Sequence, residues 1–225
     1  MTLDYRYEIK FVLDDTKLSE AMQWLYNDTT ANKTYNDRRV NSIYFDDVDF
    51  SSVIDNLAGI SQRNKLRLRW YGLQENSLPY FEVKTKNARI GYKTSYPIKS
   101  IENNLLEISI EKITSKCTKD LAKQDIVFDK HLVPTLQVNY ERGYYETHDS
   151  IRITIDQDIK FSDTQLHTTL NENSSLSYPL NVMEIKFKPS MKEAVAELIR
   201  PLHIIPKRHS KYLVGLAKLG YATYI

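Results

Sequence analysis

The residues best suited to chemistry are cations that alternate with large apolar side chains. In the segment KLRLRWYG, residues 65–72, Lys65, Arg67 and Arg69 occupy every second position. Successive side chains of an extended chain point to opposite faces, so these three cations would share one face. Arginine offers a planar fork of donors that matches phosphate oxygens, and lysine acts as a point charge on phosphate. The segment therefore predicts a strand with one apolar face and one face for an anion or for solvent.

Positive charge collects on the polar faces of several such segments. The cations concerned are Arg6, Lys10, Lys65, Arg67, Arg69, Lys84, Lys93, Arg142, Arg152 and Lys186, with only Glu8, Glu82, Asp156 and Glu184 interspersed. A half-solvated antiparallel sheet is the simplest explanation of any one strand, but solvated faces usually mix charges of both signs. Cations that converged to about 5 Å would repel by about 3 kcal/mol per pair at an effective dielectric of about 20. A shared basic cavity would therefore need a ligand with several phosphates.

Period-two alternation and helical periodicity predict the elements that position these cations. Strands are expected at residues 5–12, 40–46, 65–70, 80–86, 90–97, 135–145, 151–158 and 183–188. Helices are expected at 17–26, 105–122, 191–199 and about 211–219, with Ser190 and Glu193 as a capping box and Ser210 as an N-cap. Eight strands suffice to close a barrel. The predicted fold is α+β, with a basic barrel interior and an apolar exterior beneath helices.

Composition excludes several classes of protein. The 225 residues, 41% of them hydrophobic, predict one domain with a real core, and the formal charge of +2 says little about partners. The single cysteine, Cys117, excludes an internal disulfide framework and a four-thiolate metal site, and it favours a reducing compartment. We find no signal peptide and no run of about 18 apolar residues. We therefore expect a soluble, cytoplasmic chain without a transmembrane segment.

The strand motifs occur in an order that resembles a known family. The motifs are RYEIKF (6–11), SIYFDDVDF (42–50), RNKLRLRWYG (63–72), FEVKTK (81–86), GYKT (91–94), PTLQVNYER (134–142), RITID (152–156), MEIKF (183–187) and RHSKY (208–212). Together they resemble the VTC domain, the catalytic domain of vacuolar transporter chaperone-type polyphosphate polymerases. That domain belongs to the triphosphate tunnel metalloenzyme, or CYTH-like, superfamily. The likeness runs in order from Arg6 to Tyr212.

The resemblance implies an eight-stranded antiparallel β-barrel tunnel with a basic interior, flanked by helices, in a single domain over residues 1–225. It also implies a divalent metal, Mn²⁺ or Mg²⁺, and a triphosphate held inside the tunnel. The implied catalytic residues are Arg67, Arg69, Lys84, Arg152 and Lys186. The implied substrate-binding residues are Lys10, Lys93, Arg142, Ser210 and Lys211. The implied metal ligand is Glu184, with Glu8 and Asp156 as further candidates, although Asp156 could instead pair with Arg152.

The implied activity is that of an ATP-dependent polyphosphate polymerase, which transfers the γ-phosphate of ATP to a growing chain. Tunnel phosphatases and cyclases often open with a Glu-x-Glu-x-Lys strand, whereas this chain has Arg6, Glu8 and Lys10 at that spacing. Replacing a carboxylate by a cation favours holding phosphate over orienting a second metal or a hydrolytic water. The expected partners are ATP, orthophosphate and polyphosphate, and a membrane protein if synthesis is coupled to transport. Nucleic acid is not expected as a partner.

Two other functions stay open. One is hydrolysis of tripolyphosphate or a nucleoside triphosphate on the same fold, and the other is non-catalytic binding of polyphosphate. Arg6, Lys65, Lys86 and Lys188 are either solvated charges or part of the site. The five histidines are expected at the surface, and no His or Cys constellation suggests nucleophilic catalysis. Trp70 is expected to pack beneath a helix.

Overall fold

The computed structural model describes residues 6–72, 78–87, 90–171 and 174–221. Its strands are β1 (Tyr7–Leu13), β2 (Asn32–Asp46), β3 (Gln62–Tyr71), β4 (Tyr80–Asn87), β5 (Ile90–Pro97), β6 (Val133–Glu146), β7 (Arg152–Ser162), β8 (Ser175–Ser177) and β9 (Asn181–Phe187). Its helices are α1 (Asp15–Asn27), α2 (Ser51–Leu57), α3 (Ile110–Ala122), α4 (Lys192–Leu198) and α5 (Lys211–Lys218), with 3₁₀ turns at Lys99–Ile101 and Pro189–Met191. None of these helices combines the length and apolarity needed to cross a bilayer.

One antiparallel sheet contains all nine of these strands. Eight follow the order β1-β9-β7-β6-β2-β3-β4-β5, and β8 pairs with β7. The sheet curves strongly, because Lys84 on β4 lies 3.0 Å from Glu8 on β1 although the two strands are far apart in that order. At the seam, a bridge between Arg6 and Gly91 links the residue before β1 to β5. The α+β class is confirmed, whereas a closed barrel is not, since the described residues form no continuous ladder between β1 and β5.

All eight predicted strands are present. Tyr5, which begins the first predicted strand, lies outside the described residues. The structure adds β8 and α2, which have three and seven residues. Such short segments contain too few residues for a periodic pattern to identify them.

One predicted helix start and one predicted helix cap are wrong. The helix expected from residue 105 begins at Ile110, because the side chain of Ser109 accepts a hydrogen bond from the Lys112 N–H and caps the helix there. The expected capping box at Ser190 is absent, since residues 189–191 form a 3₁₀ turn. The residue that caps α4 is Met191, which has no side-chain hydrogen bond to the helix. The predicted N-cap of α5 is confirmed.

The convex face of the sheet is apolar and is covered by helices. Leu68 and Trp70 of β3 are buried in one cluster with Ile113 of α3. At the other end of the strand order, Ile185 of β9 is buried with Trp24 of α1. Each such side chain contributes about 1.5–3 kcal/mol when it is removed from water. Because strand faces alternate, this burial turns the arginines of β3 toward the concave face, as predicted.

Helix α5 fills one end of the concave face. A Cβ added at Gly215 would lie 2.6 Å from Leu136 and 2.8 Å from Phe161, so the helix contacts the sheet as closely as a glycine allows. The ring of Tyr212 stacks on Tyr44 with 4.9 Å between centroids. The apolar side of α5 therefore closes this end of the concavity, and the first turn of the helix faces the remaining space.

Candidate functional site

A cavity of about 890 Å³ lies between the concave face and the first turn of α5. Its cations are Lys10, Arg63, Lys65, Arg67, Arg69, Lys84, Lys86, Arg142, Lys186, Lys207, Arg208 and Lys211. Among the described residues, only two carboxylates, those of Glu8 and Glu184, share this wall. Ser210 also lines it while capping α5 through a hydrogen bond from the Leu213 N–H. This surplus of positive charge suits a polyanion.

A buried carboxylate holds the two arginines of β3. The strand register sets Arg67 opposite Glu82, and two Arg67 nitrogens lie 2.7 and 2.6 Å from one Glu82 oxygen. A terminal nitrogen of Arg69 lies 3.9 Å from the same oxygen. Burial alone would raise the pKa of Glu82, but the charges of Arg67, Arg69 and Lys93 outweigh it and hold that pKa well below its usual range. The guanidinium groups are therefore fixed in place by an anion that stays ionised.

A second buried carboxylate joins β6 to α5. Asp156 accepts two hydrogen bonds from Arg142, at 2.5 and 2.7 Å, and one from Lys211 at 2.5 Å. Burial would raise the pKa of Asp156, but these two cations lower it to about 2. Asp156 does not pair with Arg152, the alternative that the sequence left open. We call Arg67, Arg69 and Arg142, with Glu82 and Asp156, the arginine group.

Elsewhere in the cavity wall, three lysines surround two glutamates. Nζ of Lys186 lies 2.7 Å and Nζ of Lys10 lies 3.2 Å from Glu184, while Nζ of Lys84 lies 3.0 Å from each oxygen of Glu8. Burial would raise the pKa of Glu184, but Lys186 and Lys10 hold it well below its usual range. Burial would lower the pKa of Lys10, but Glu184 and Glu8 raise it. We call these five residues the lysine group.

The two glutamates fit a divalent ion that shares its ligands with phosphate. Within the described chain, no three His, Cys, Asp or Glu side chains are grouped so as to hold a metal ion. Glu8 and Glu184 both line the cavity and both lie within 4 Å of Lys10 Nζ. Mg²⁺ is commonly held by one or two carboxylates together with substrate phosphates. This donor set matches that arrangement and not an all-protein cage.

Five further cations line the cavity and pair with no carboxylate of the described residues. They are Arg63, Lys65, Lys86, Lys207 and Arg208, which we call the outer group. In the part of the chain that the structure describes, no carboxylate oxygen lies within 4.0 Å of their side-chain nitrogens. Nζ of Lys65 instead donates to Ser210 Oγ at 2.9 Å. Burial, followed by the charges of Lys10 and Lys84, lowers the pKa of Lys65 well below its usual range.

Most of the predicted site residues meet at this cavity. They are Glu8, Lys10, Arg67, Arg69, Lys84, Arg142, Glu184, Lys186, Ser210 and Lys211. Lys93 is not part of the wall, although its Nζ lies 2.5 Å from Glu82. Arg152 is exposed, pairs with Glu146 at 3.4 Å and does not line the cavity, although it lies opposite Lys186 in the strand register. The candidate ligand Asp156 is buried, and its carboxylate accepts hydrogen bonds from Arg142 and Lys211.

Sequence reasoning missed several residues of the site. The hydroxyls of Tyr44 and Tyr140 accept hydrogen bonds from Arg67 and Arg69, at 3.3 and 3.0 Å. Tyr44 lies two residues from Ser42, and Tyr140 lies two residues from Arg142, so alternation along each strand places these tyrosines on the inner face. That alternation was the available signal. The expectation that every histidine is at the surface is wrong for His209, which lines the cavity. Burial, followed by Lys211 and Lys10, lowers the pKa of His209 to about 3, so its ring is neutral.

Solved structures share this fold at low sequence identity. A protein from Pyrococcus horikoshii is 14% identical over 95% of this chain and 99% of its own, with a TM-score of 0.53. A protein from Hippeastrum, described as a candidate adenylyl cyclase with dominant triphosphatase activity, is 12% identical over 95% of both chains, with a TM-score of 0.54. A candidate adenylate cyclase from Vibrio parahaemolyticus is 11% identical over 93% of this chain and 97% of its own, with a TM-score of 0.51. Comparison with curated protein sequences gives no match.

The family assignment rests on nearly the whole chain. The model of the VTC domain matches residues 5–220. That range contains every strand and helix described above and all residues of the cavity wall. The motif resemblance is thereby confirmed, and the chain belongs to the VTC domain family.

Proposed function

We propose that this protein transfers the γ-phosphoryl group of ATP to the end of an inorganic polyphosphate chain. The observation that carries the proposal is the cavity wall, in which twelve cations face two carboxylates. Phosphoryl transfer needs in-line positioning and charge stabilisation, and little covalent help from the protein. A wall of fixed cations supplies both requirements.

In this proposal Arg67 and Arg69 of the arginine group bind the triphosphate of ATP. Arg67 and Arg69 are held by Glu82 and by tyrosine hydroxyls, so their donors are oriented before a substrate arrives. Preorganised donors stabilise developing charge without rearrangement during the reaction. Lys84 lies beside them across the register from Lys65 and adds a point charge on the phosphates.

The acceptor phosphate lies against Lys10, Lys186, Arg142 and Lys211. One of its oxygens attacks the γ-phosphorus and forms a new P–O bond. The bond from the γ-phosphorus to the β,γ-bridging oxygen breaks, and ADP leaves with that electron pair. The attacking oxygen is already anionic, so no general base is required. A divalent ion, Mn²⁺ or Mg²⁺, held by Glu184 and Glu8 would supply further neutralisation of phosphate charge.

Hydrolysis of a triphosphate is the second candidate function. The same wall would bind the substrate, and water would replace the acceptor phosphate. The support is the shared fold with the Hippeastrum protein, whose description includes dominant triphosphatase activity. Against it, both glutamates of the described cavity wall pair with lysines, so neither is positioned to orient a water before a substrate binds.

One experiment separates these activities. The purified protein is incubated with ATP and Mn²⁺ or Mg²⁺, and ADP, free phosphate and long-chain polymer are followed together. ADP with polymer supports the polymerase, and ADP with equal free phosphate supports hydrolysis. No turnover, together with a higher melting temperature in added polyphosphate, identifies a binder. Arg67→Ala is the loss-of-site variant, and the exposed α3 variant Lys112→Ala is its matched control.

A further inference from the structure

Helix α3 carries a row of lysines along one side. Lys112, Lys116, Lys119 and Lys123 follow one another at intervals of four, three and four residues. At about 100° of rotation per residue, these intervals keep all four side chains within an arc of about 60°. Lys112, Lys119 and Lys123 are exposed, and Lys116 is half-buried. We call these four residues the lysine row, which is about 16 Å long at about 1.5 Å per residue.

The lysine row has little negative charge beside it. Among the described residues, only one of its members has a carboxylate within 4.0 Å, namely Lys123, which lies 3.2 Å from Asp120. Asp120 is itself 7% exposed, so it presents almost no charge to the surface. The other acid of α3, Glu111, is rotated away from the row and lies 3.5 Å from the ring of His167. Positive charge therefore accumulates on this side of α3, although the net charge of the chain is only +2.

The stability of the helix does not account for the row. Lysines three or four residues apart on one helix face repel each other. The helix macrodipole favours cations in the last turn, whereas Lys112 lies in the first turn, where a cation is disfavoured. Core packing uses another side of α3, which includes Ile113 and Cys117. No lysine of the row lines the cavity. The row thus opposes folding and takes no part in the site, as expected of a surface that meets an anion elsewhere.

The residue type and position of the row indicate the kind of anion. Arginine provides a planar fork for a single phosphate or carboxylate, whereas the ammonium group of lysine is a hydrated point charge, and the row consists of lysine alone. Nζ of Lys116 donates to the Ser100 carbonyl at 3.0 Å, which places the exposed Lys99 beside the row as a further cation. Because α3 lies on the convex face of the sheet, a flat anionic surface can contact these lysines along the helix.

We propose that the lysine row, together with Lys99, is a docking surface for a membrane that contains anionic phospholipids. Charge complementarity carries the choice of partner, since each lysine close to such a surface adds to binding without a shaped pocket. An acidic protein is less favoured, because lysine is depleted in protein–protein interfaces. Val127, which follows the end of α3, is 80% exposed and supplies an apolar side chain for the headgroup region. The inference does not depend on the proposed function.

The test is flotation of the purified protein with lipid vesicles at low ionic strength. Vesicles of phosphatidylcholine alone are compared with vesicles that also contain about 30% phosphatidylserine, an anionic lipid. We expect binding to the anionic vesicles only, and weaker binding as salt is added, because salt screens exposed charges. Lys112→Ala/Lys119→Ala should lower the partition coefficient at least about tenfold, since each lysine near the surface contributes separately. Equal binding to both kinds of vesicle would overturn the proposal.

Matched variants distinguish the lysine row from the basic cavity and from net charge. Lys192→Ala/Lys218→Ala removes the same charge at exposed positions of α4 and α5 and should leave partitioning unchanged. Lys112→Arg/Lys119→Arg keeps both charges and should bind anionic vesicles as the parent does. Equal losses in the two alanine variants would contradict a specific surface on α3. Soluble polyglutamate serves as the probe for an acidic protein. If Lys112→Ala/Lys119→Ala loses binding to polyglutamate but keeps binding to vesicles, the assignment to lipid is wrong.

Discussion

The cations of the arginine group and of the lysine group line the same cavity and differ in how their charges are held. The arginines contact carboxylates that lie outside the cavity wall, since Glu82 and Asp156 are 3% and 1% exposed. The lysines contact Glu8 and Glu184, which themselves line the cavity. Phosphate can therefore bind the arginines without disturbing their anchors. At the lysine group it must compete with the glutamates for the same cations.

The arginines are therefore held in fixed positions, whereas the lysines can exchange partners. Guanidinium groups bound by two nitrogens keep one orientation, whereas an ammonium group is a point charge with three rotatable donors. Incoming phosphate can take the lysines from Glu8 and Glu184 and free those oxygens for a divalent ion. The arginine group thus sets where the substrate lies, and the lysine group sets what can be bound with it.

The largest expected effect is on stability, at the buried carboxylate of Asp156 in the arginine group. Asp156→Asn leaves Arg142 and Lys211 without their buried anion, and breaking a buried ion pair costs about 3–5 kcal/mol. Denaturant unfolding at neutral pH measures it. The control is Asp158→Asn, at an exposed aspartate of the same strand with φ of 46°, which asparagine tolerates. It should cost less than about 1 kcal/mol. Similar losses in both variants would contradict a distinct buried anchor.

The next effect is on catalysis and compares the two kinds of cation. Arg67→Lys keeps the charge but loses the two-nitrogen contact to Glu82, so kcat/KM should fall about 100-fold, or about 2.7 kcal/mol. Lys84→Arg keeps the charge in the lysine group, and kcat/KM should fall less than about tenfold. Steady-state ADP release measures both. A greater loss of kcat/KM from Lys84→Arg than from Arg67→Lys would contradict the distinction between fixed arginines and exchangeable lysines.

A smaller effect concerns the metal. Glu184→Gln removes an oxygen charge that the divalent ion needs, so the Mn²⁺ or Mg²⁺ concentration for half-maximal turnover should rise about tenfold, or about 1.4 kcal/mol. Glu146→Gln is the control, because Glu146 pairs with Arg152 outside the cavity. Metal titrations of both variants at saturating ATP provide the measurement. An unchanged metal requirement in Glu184→Gln would exclude this residue as a ligand.

The smallest effect is a pH dependence in the outer group. The folded-state pKa of Lys65 is lowered, so the unfolded state binds more protons between that pKa and the unfolded value near 10.5, and stability rises with pH there. Lys65→Met should therefore be more stable than the parent at neutral pH by about 0.5–1 kcal/mol, with the gap shrinking toward pH 10.5. Thermal unfolding without phosphate measures it. A stability difference that stays constant over pH would show that burial and the neighbouring charges do not lower the pKa of Lys65.

The sequence predicted which faces meet but not which charges pair. Period-two alternation placed Arg67 and Arg69 on the inner face, and the structure agrees because burial of Leu68 and Trp70 leaves no other orientation. The partner Glu82 depends on the register between β3 and β4, which is a non-local property. Local spacing suggested Arg152 as the partner of Asp156, whereas a neighbouring strand and α5 supply the cations instead.

The sequence also did not show which of the inward-facing residues line the cavity. Arg152 shares a face with Asp156 but lies four residues from it and falls outside the cavity. Lys65 and Lys86, for which the sequence left two interpretations open, line the wall. Whether an inward residue reaches the cavity depends on the curvature of the sheet and on the position of α5. Neither quantity leaves a pattern in the residues of one strand.

Gly215 determines how far Lys211, one helical turn away in α5, extends into the concavity. Because only a hydrogen atom fits between α5 and the side chains of Leu136 and Phe161, the depth of the helix in the concavity is decided there. That depth carries Lys211 to Asp156 and Ser210 to Lys65. The size of the cavity thus depends on a position outside the cavity wall. For a protein engineer, the graded series glycine, alanine, serine at residue 215 is a means of widening the site while every cation in it is kept.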